Sequence, residues 1–147
     1  MGRRIPYYDI APEGMKIMME MEKYVKTSGI SRTTRELVKI RTSQINGCAY
    51  CLNMHTSEAR KMGETEQRIY CLSAWRECDF YTPEEKVALE LTEYITLISD
   101  KGVPDDLYQR VREHYDEKQY VDLVLTINQI NSWNRISIAM GNRVANN

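Results

Sequence analysis

A chain of 147 residues can bury roughly two-thirds of the surface its unfolded form exposes, so one domain spanning 1–147 is expected, with no need of disulfides to hold it. With 20 basic and 21 acidic side chains, net charge −1, there is no electrostatic reason to expect nucleic acid or an anionic membrane as partner, though a local patch stays open. No run approaches the ~18 consecutive apolar residues of a membrane span, and the basic stretch Met1–Pro6 leads into no apolar segment, so a cytoplasmic location is expected.

From Pro12 to about Lys26, Met15, Met18, Met19 and Tyr24 or Val25 recur at three- and four-residue spacing, which predicts a helix with one buried stripe. Methionines in such number suit core packing or an oligomer interface better than a groove for apolar substrates. Beyond Gly29 a second helix is predicted over about Thr33 to Ile45, with Leu37, Ile40 or Arg41, and Gln44 or Ile45 along its face. Thr33-Thr34-Arg35-Glu36 fits the capping-box pattern, in which Glu36 reaches back to the Thr33 amide.

Asn46-Gly47 is a turn signal, and Gly47 can stop one helix while the next begins. The third helix then carries Cys48 and Cys51 in its first turns and runs to about Lys61, where Met62-Gly63 supplies a C-cap. A shorter fourth helix is predicted from Glu66 to about Trp75, with Ile69, Leu72 and Trp75 at helical spacing. The fifth starts at Thr82-Pro83-Glu84-Glu85, an N-cap, a proline at the first helical position and a capping glutamate, and continues to Asp100-Lys101-Gly102. Pro104-Asp105-Asp106 starts a sixth. Asp116-Glu117-Lys118-Gln119 can cap a long seventh, reaching toward Gly141 and apolar nearly all round, as in a helix central to the core or shared with another subunit. No alternating strand pattern and no glycine-rich phosphate loop is present, so the fold class is all-α.

In a reducing compartment a C-x-x-C pair is more often catalytic or metal-binding than a structural staple. Cys48, Cys51 and His55 fall at i, i+3 and i+7, so one helix face can present all three. A cysteine in the first turn of a helix meets unpaired amide N–H groups and the positive end of the macrodipole, which favour thiolate, and Cys48 is placed for that effect. Cys51 lies a turn further in, and His55 at i+4 can take its proton. Cys71 and Cys78 belong to no motif and read as small apolar core residues.

Glu36 lies twelve residues before Cys48, about 18 Å along one continuous helix. If the chain reverses at Asn46-Gly47, Glu36 comes alongside His55 and can orient its imidazole and stabilise the charged form. The resulting order is Glu36, His55, Cys51, Cys48. On the residues alone three readings stand: catalytic thiols, a metal site and a coincidence of helix spacing. For zinc, Cys48, Cys51 and His55 supply three ligands, with Cys71, Cys78, His114 or water as the fourth, in a spacing unlike the usual paired knuckles. A redox-sensing module without turnover is the non-enzymatic alternative.

The runs Arg35-Glu36-Leu37-Val38-Lys39-Ile40-Arg41, Ser43-Gln44-Ile45-Asn46-Gly47-Cys48-Ala49-Tyr50-Cys51, Met54-His55-Thr56 and Ser73-Ala74-Trp75-Arg76-Glu77 resemble the alkylhydroperoxidase AhpD-like branch of the carboxymuconolactone decarboxylase superfamily, over roughly Ile30 to Tyr94. The resemblance implies an all-helical fold assembled as a homo-oligomer, trimer or hexamer, and a peroxidase cycle in which Cys48 and Cys51 reduce a hydroperoxide and become a disulfide. It implies that Glu36 and His55 relay protons. On this reading Cys51 attacks and Cys48 resolves, no redox cofactor or metal takes part, and an external dithiol or thioredoxin-like donor resets the pair. The decarboxylase branch lacks the cysteine pair, which disfavours that activity. The best-studied alkylhydroperoxidases carry a histidine just before the second cysteine; here it is Tyr50, a hydrogen-bond donor but a poor proton acceptor near neutral pH.

Overall fold

The computed structural model describes residues 2–145; the first residue of the basic N-terminal stretch and the last two of the expected domain lie outside the described residues. Among them the regular structure is entirely helical: α1 (Tyr7–Ile10), α2 (Pro12–Thr27), α3 (Arg32–Asn46), α4 (Ala49–Lys61), α5 (Glu66–Tyr70), a 3₁₀ helix (Leu72–Glu77), α6 (Pro83–Thr96), α7 (Ile98–Lys101), α8 (Asp105–Arg112) and α9 (Glu117–Ala139). The all-α expectation holds, and α1 is an addition to it.

The hub is α3, which packs on α4, α6 and α9. Its consecutive residues Leu37, Val38, Lys39 and Ile40 are all buried. At 100° per residue, four in a row point in four directions, so a helix can bury such a run only if neighbours surround it. Val38 enters a cluster with Leu91, Val111, Leu123 and Ile127 of α6, α8 and α9. Leu37 and Ile40 enter a second cluster with Ala59, Leu72, Trp75 and Leu89.

The long last helix was expected to be apolar nearly all round. It buries Leu123, Ile127 and Ile130, but also Asp122, Thr126, Gln129, Asn131, Asn134 and Ser137, and it leaves Val121 and Ile138 exposed. Its caps are as predicted: Asp116 accepts from the Gln119 amide while the Gln119 side chain accepts from the Asp116 amide. Thr82 and Glu85 form the same reciprocal pair at α6.

Three boundaries and the burial of two cysteines differ from expectation. The fourth helix breaks at Cys71 into α5 and the 3₁₀ helix, because Ile69, Leu72 and Trp75 recur at a strict three-residue step, the period of a 3₁₀ rather than an α-helix. The fifth stops at Thr96, kinks at Leu97 and resumes as α7. Ser31, not Thr33, caps α3: its hydroxyl accepts from the Thr34 amide, so Glu36 lies beyond the first turn and does no capping. Cys71 and Cys78 are half-buried rather than core residues, with Cys78 at the edge of the second cluster.

Gly47, with φ of 67°, occupies the left-handed region that ends α3, and its N–H and that of Cys48 return to the Gln44 and Ser43 carbonyls. Only Gly47 and Cys48 separate α3 from α4, so the two helices fold back as the expected hairpin. Asn46 does more than mark the turn: its amide donates to Asn131 and Asn134 of α9, at 2.9 and 3.0 Å, which anchors the hairpin tip.

Candidate active site

Cys48 is the N-cap of α4, so its side chain sits at the helix mouth rather than inside the first turn. Its Sγ accepts the Cys51 amide N–H at 3.4 Å and lies 2.7 Å from the Cys51 Sγ. Both thiols are free and nearly sealed from bulk solvent, 1 % and 2 % exposed, packed against Ile130 and Trp133 of α9. The two sulfurs differ in one respect. Cys51 lines a cavity of about 590 Å³ on this face, whereas Cys48 lies behind it.

Four residues after Cys51, on the same side of α4, His55 lines that cavity too. Across the hairpin, Glu36 Oε2 sits 3.1 Å from His55 Nδ1, which leaves Nε2 as the nitrogen that can face the cavity. Burial works to raise the Glu36 pKa, but its hydrogen bond to and charge attraction with His55 outweigh that, and the carboxyl is held below its ordinary value. Glu36 also borders a second, smaller cavity of about 260 Å³ behind the hairpin. Glu36, His55 and Cys51 thus line one cavity, and the Cys48 sulfur lies against that of Cys51.

Burial pushes the Cys51 thiol up to about 12, and the adjacent Cys48 adds to the effect, while the Asn134 amide pulls the other way. Isolated, such a thiol stays protonated at neutral pH. A base beside it is therefore a chemical requirement for nucleophilic work, and His55 is the base at hand.

Sequence reasoning missed the contribution of α9 and one residue of α3. Asn134 donates to Ser43 Oγ at 3.0 Å and accepts from Asn46, so its amide is fixed beside Cys51. Ser137 lines the cavity with a buried hydroxyl that, like Asn134, works against the rise of the Cys51 pKa. Lys39, 2 % exposed, lines the cavity floor and pairs with Glu22 at 3.2 Å. A lone lysine inside the apolar run Leu37-Val38-Lys39-Ile40 was the available signal. Tyr50 faces the same cavity and, among the described residues, makes no side-chain hydrogen bond that would fix it.

The hairpin is held from below by Glu93. Its carboxylate accepts from Arg41 Nε at 2.9 Å, Trp75 Nε1 at 2.9 Å and Arg76 Nη1 at 2.7 Å, tying α3 and the 3₁₀ helix to α6. Burial would raise this carboxyl, but the Arg76, Trp75 and Arg41 donors hold it low. Among the described residues no group of three or more His, Cys, Asp and Glu side chains is arranged to hold a metal ion. Nor is any described helix long and apolar enough to cross a membrane.

The uncharacterized protein YdfG of Bacillus subtilis (strain 168) is 79% identical over 145 residues, 99% of either chain. A crystal structure of ATU0492 from Agrobacterium tumefaciens, a protein of unknown function proposed as the antioxidant defence protein AhpD, superposes with a TM-score of 0.93 at 37% identity over 99% of both chains. A peroxidase-related protein of Ralstonia eutropha JMP134, described as an alkylhydroperoxidase AhpD core, shares the fold with a TM-score of 0.81 at 18% identity, over 95% of this chain and 74% of its own. The sequence profile of the carboxymuconolactone decarboxylase family matches residues 12–94. On that match, and on likeness along its whole length to an AhpD-type structure, this chain belongs to the carboxymuconolactone decarboxylase family as an AhpD-like member.

Proposed function

We propose that this protein is a thiol-dependent hydroperoxide reductase with an antioxidant role. The observation that carries the reading is that Cys51 and His55 line one cavity, with Glu36 seated on the far side of the imidazole and the Cys48 sulfur immediately behind Cys51. The AhpD-like fold supports the same role.

In the proposed cycle His55 accepts the Cys51 proton, and the thiolate attacks the terminal oxygen of the hydroperoxide. The O–O bond breaks, Cys51 becomes a sulfenic acid, and the departing alkoxide takes the proton held by His55 and leaves as alcohol. The Cys48 sulfur then attacks Cys51. Its proton and the sulfenic hydroxyl leave as water, and the disulfide forms. A dithiol or thioredoxin-like donor returns two electrons and two protons by thiol exchange. Every electron is accounted for by the two sulfurs and the donor, so the cycle calls for no redox cofactor. Glu36 is a positioning residue, acting through His55.

Assembly as a trimer or hexamer belongs to the proposal, and Ile10 and Ile17, exposed on α1 and α2, supply apolar surface for it.

The test is peroxide consumption by the whole protein with excess dithiothreitol, read beside intact mass after one hydroperoxide equivalent. Repeated turnover with loss of two hydrogens confined to Cys48 and Cys51 supports the reading. A single oxidation without turnover indicates a sensor, and unchanged thiols defeat both.

A further inference from the structure

The substrate class is legible in the charges around the cavity, on the footing that the hydroperoxide reductase reading holds. A hydrogen peroxide molecule is little larger than a water, whose share of liquid is about 30 Å³, and most of a 590 Å³ cavity would stand unused by it. Cavities in the range of roughly 300–1,000 Å³ suit organic ligands. Four large apolar side chains that the fold leaves exposed, Tyr8, Met19, Tyr50 and Met54, all border this one cavity, and Trp133 closes its inner wall. That lining accepts a hydrocarbon body.

The ionic groups add a second requirement. The cavity's three acids are engaged: Glu22 with Lys39 at 3.2 Å, Glu36 with His55 at 3.1 Å, and Glu58 with Lys61 at 3.0 Å. Its other cations are not. Among the described residues, Lys26 and Arg32 have no carboxylate within ion-pair distance. Arg35 spends hydrogen bonds on the Lys26 and Ile30 carbonyls, at 3.0 and 3.1 Å, which satisfies donors without cancelling charge. Arg3 lies over the Tyr7 and Tyr8 rings. With His55 neutral the cavity is lined by five cations, Arg3, Lys26, Arg32, Arg35 and Lys39, against three carboxylates, and that local surplus, in a chain of net charge −1, attracts an anion.

We propose that the substrate is an organic hydroperoxide carrying a carboxylate, bound with its carboxylate at Lys26, Arg32 and Arg35 and its peroxide at Cys51. Arg32 precedes Glu36 by four residues, about 6 Å along α3, and Cys51 precedes His55 by four, about 6 Å along the antiparallel α4, so the two functional groups sit about 12 Å apart along the hairpin with the apolar body between them. The Ser137 hydroxyl lies at the thiol end of the cavity, beside Cys51, where a peroxide oxygen would sit.

A hydroperoxide of linoleic acid and its methyl ester separate the ideas, because they share the tail and the peroxide and differ only in charge. Both are measured with the full-length protein and neutral dithiothreitol, beside cumene hydroperoxide. The expected result is a kcat/KM for the acid at least tenfold above the ester, shrinking as salt is added. In Lys26→Gln and Arg32→Gln, both exposed positions outside the core, the acid-to-ester ratio falls toward one. Acid and ester consumed alike, or a ratio indifferent to both variants, overturns the carboxylate assignment while leaving the reductase intact. No consumption of any of the three removes the reductase reading and the substrate class with it.

Discussion

Glu36 and His55 are nineteen positions apart in sequence and 3.1 Å apart in space, one on each arm of a hairpin whose turn is only Gly47 and Cys48. The contact pins the imidazole by Nδ1. A ring held at that nitrogen keeps Nε2 aimed away from the carboxylate, whichever way the Cys51 proton moves.

Replacing His55 with Asn should therefore lower peroxide turnover by roughly 10²–10⁴-fold, the usual worth of a positioned acid–base group. Glu36→Gln keeps the shape and a hydrogen bond but loses the charge. Its expected signature is a displaced pH–rate profile together with a smaller fall in kcat, and an unchanged profile would deny Glu36 its positioning part.

Thiol ionisation gives a second check. With Cys51 raised from 9.0 to about 12, ultraviolet thiolate absorbance should show one buried thiol still protonated well above pH 9. In Cys48→Ser that titration should move down, since the neighbouring sulfur contributes to the rise. The linkage has a definite sign: the folded state holds this proton more tightly than the unfolded chain, so the stabilisation is complete below about pH 9 and is lost as pH climbs toward 12. Urea melts across that range read it directly.

Glu93 carries the opposite sign. Its folded pKa lies below 4.5, so its contribution is present above that value and disappears as pH falls through the lower folded one. Glu93→Ala leaves Arg41 and Trp75 as unmatched donors in the interior and should cost about 3–5 kcal/mol in urea unfolding. Glu93→Gln should cost less, because an amide oxygen can still accept from Trp75.

Asn134→Ala tests the flank of the thiol. The variant removes an acceptor for Asn46 and the donor to Ser43, and it takes away one of the two groups, with Ser137, that pull the Cys51 pKa down. We expect a loss of about 1–3 kcal/mol, the range for stranding a buried partner, and slower alkylation of Cys51 at fixed pH. Unaltered alkylation would mean Asn134 serves packing alone.

The hairpin was readable because its information is local: Asn46-Gly47 marks a reversal, and counting outward from it pairs Glu36 with His55. The cap of α3 was misread for an equally local reason, since Ser31 and Thr33 are both competent N-caps and the burial of Ile30 just ahead favours the earlier one. Helix α9 gave no such purchase. Its polar residues Asn131 and Asn134 sit within an apolar pattern, and their α3 partners lie 85 to 91 residues away, beyond the reach of any periodicity. The fourth helix shows the limit from another side, where a three-residue step was taken for the helical period it nearly matches.

The amide bonds from Asn46 to Asn131 and Asn134 bear on transplantation. Because the reactive sulfur takes one wall from the hairpin and the other from a distant segment, cutting out residues 32–61 and grafting them onto a foreign bundle would carry the motif without its surroundings. Such a chimera should oxidise as an ordinary vicinal dithiol does, and a working transplant would have to bring along the matching turns of the last helix.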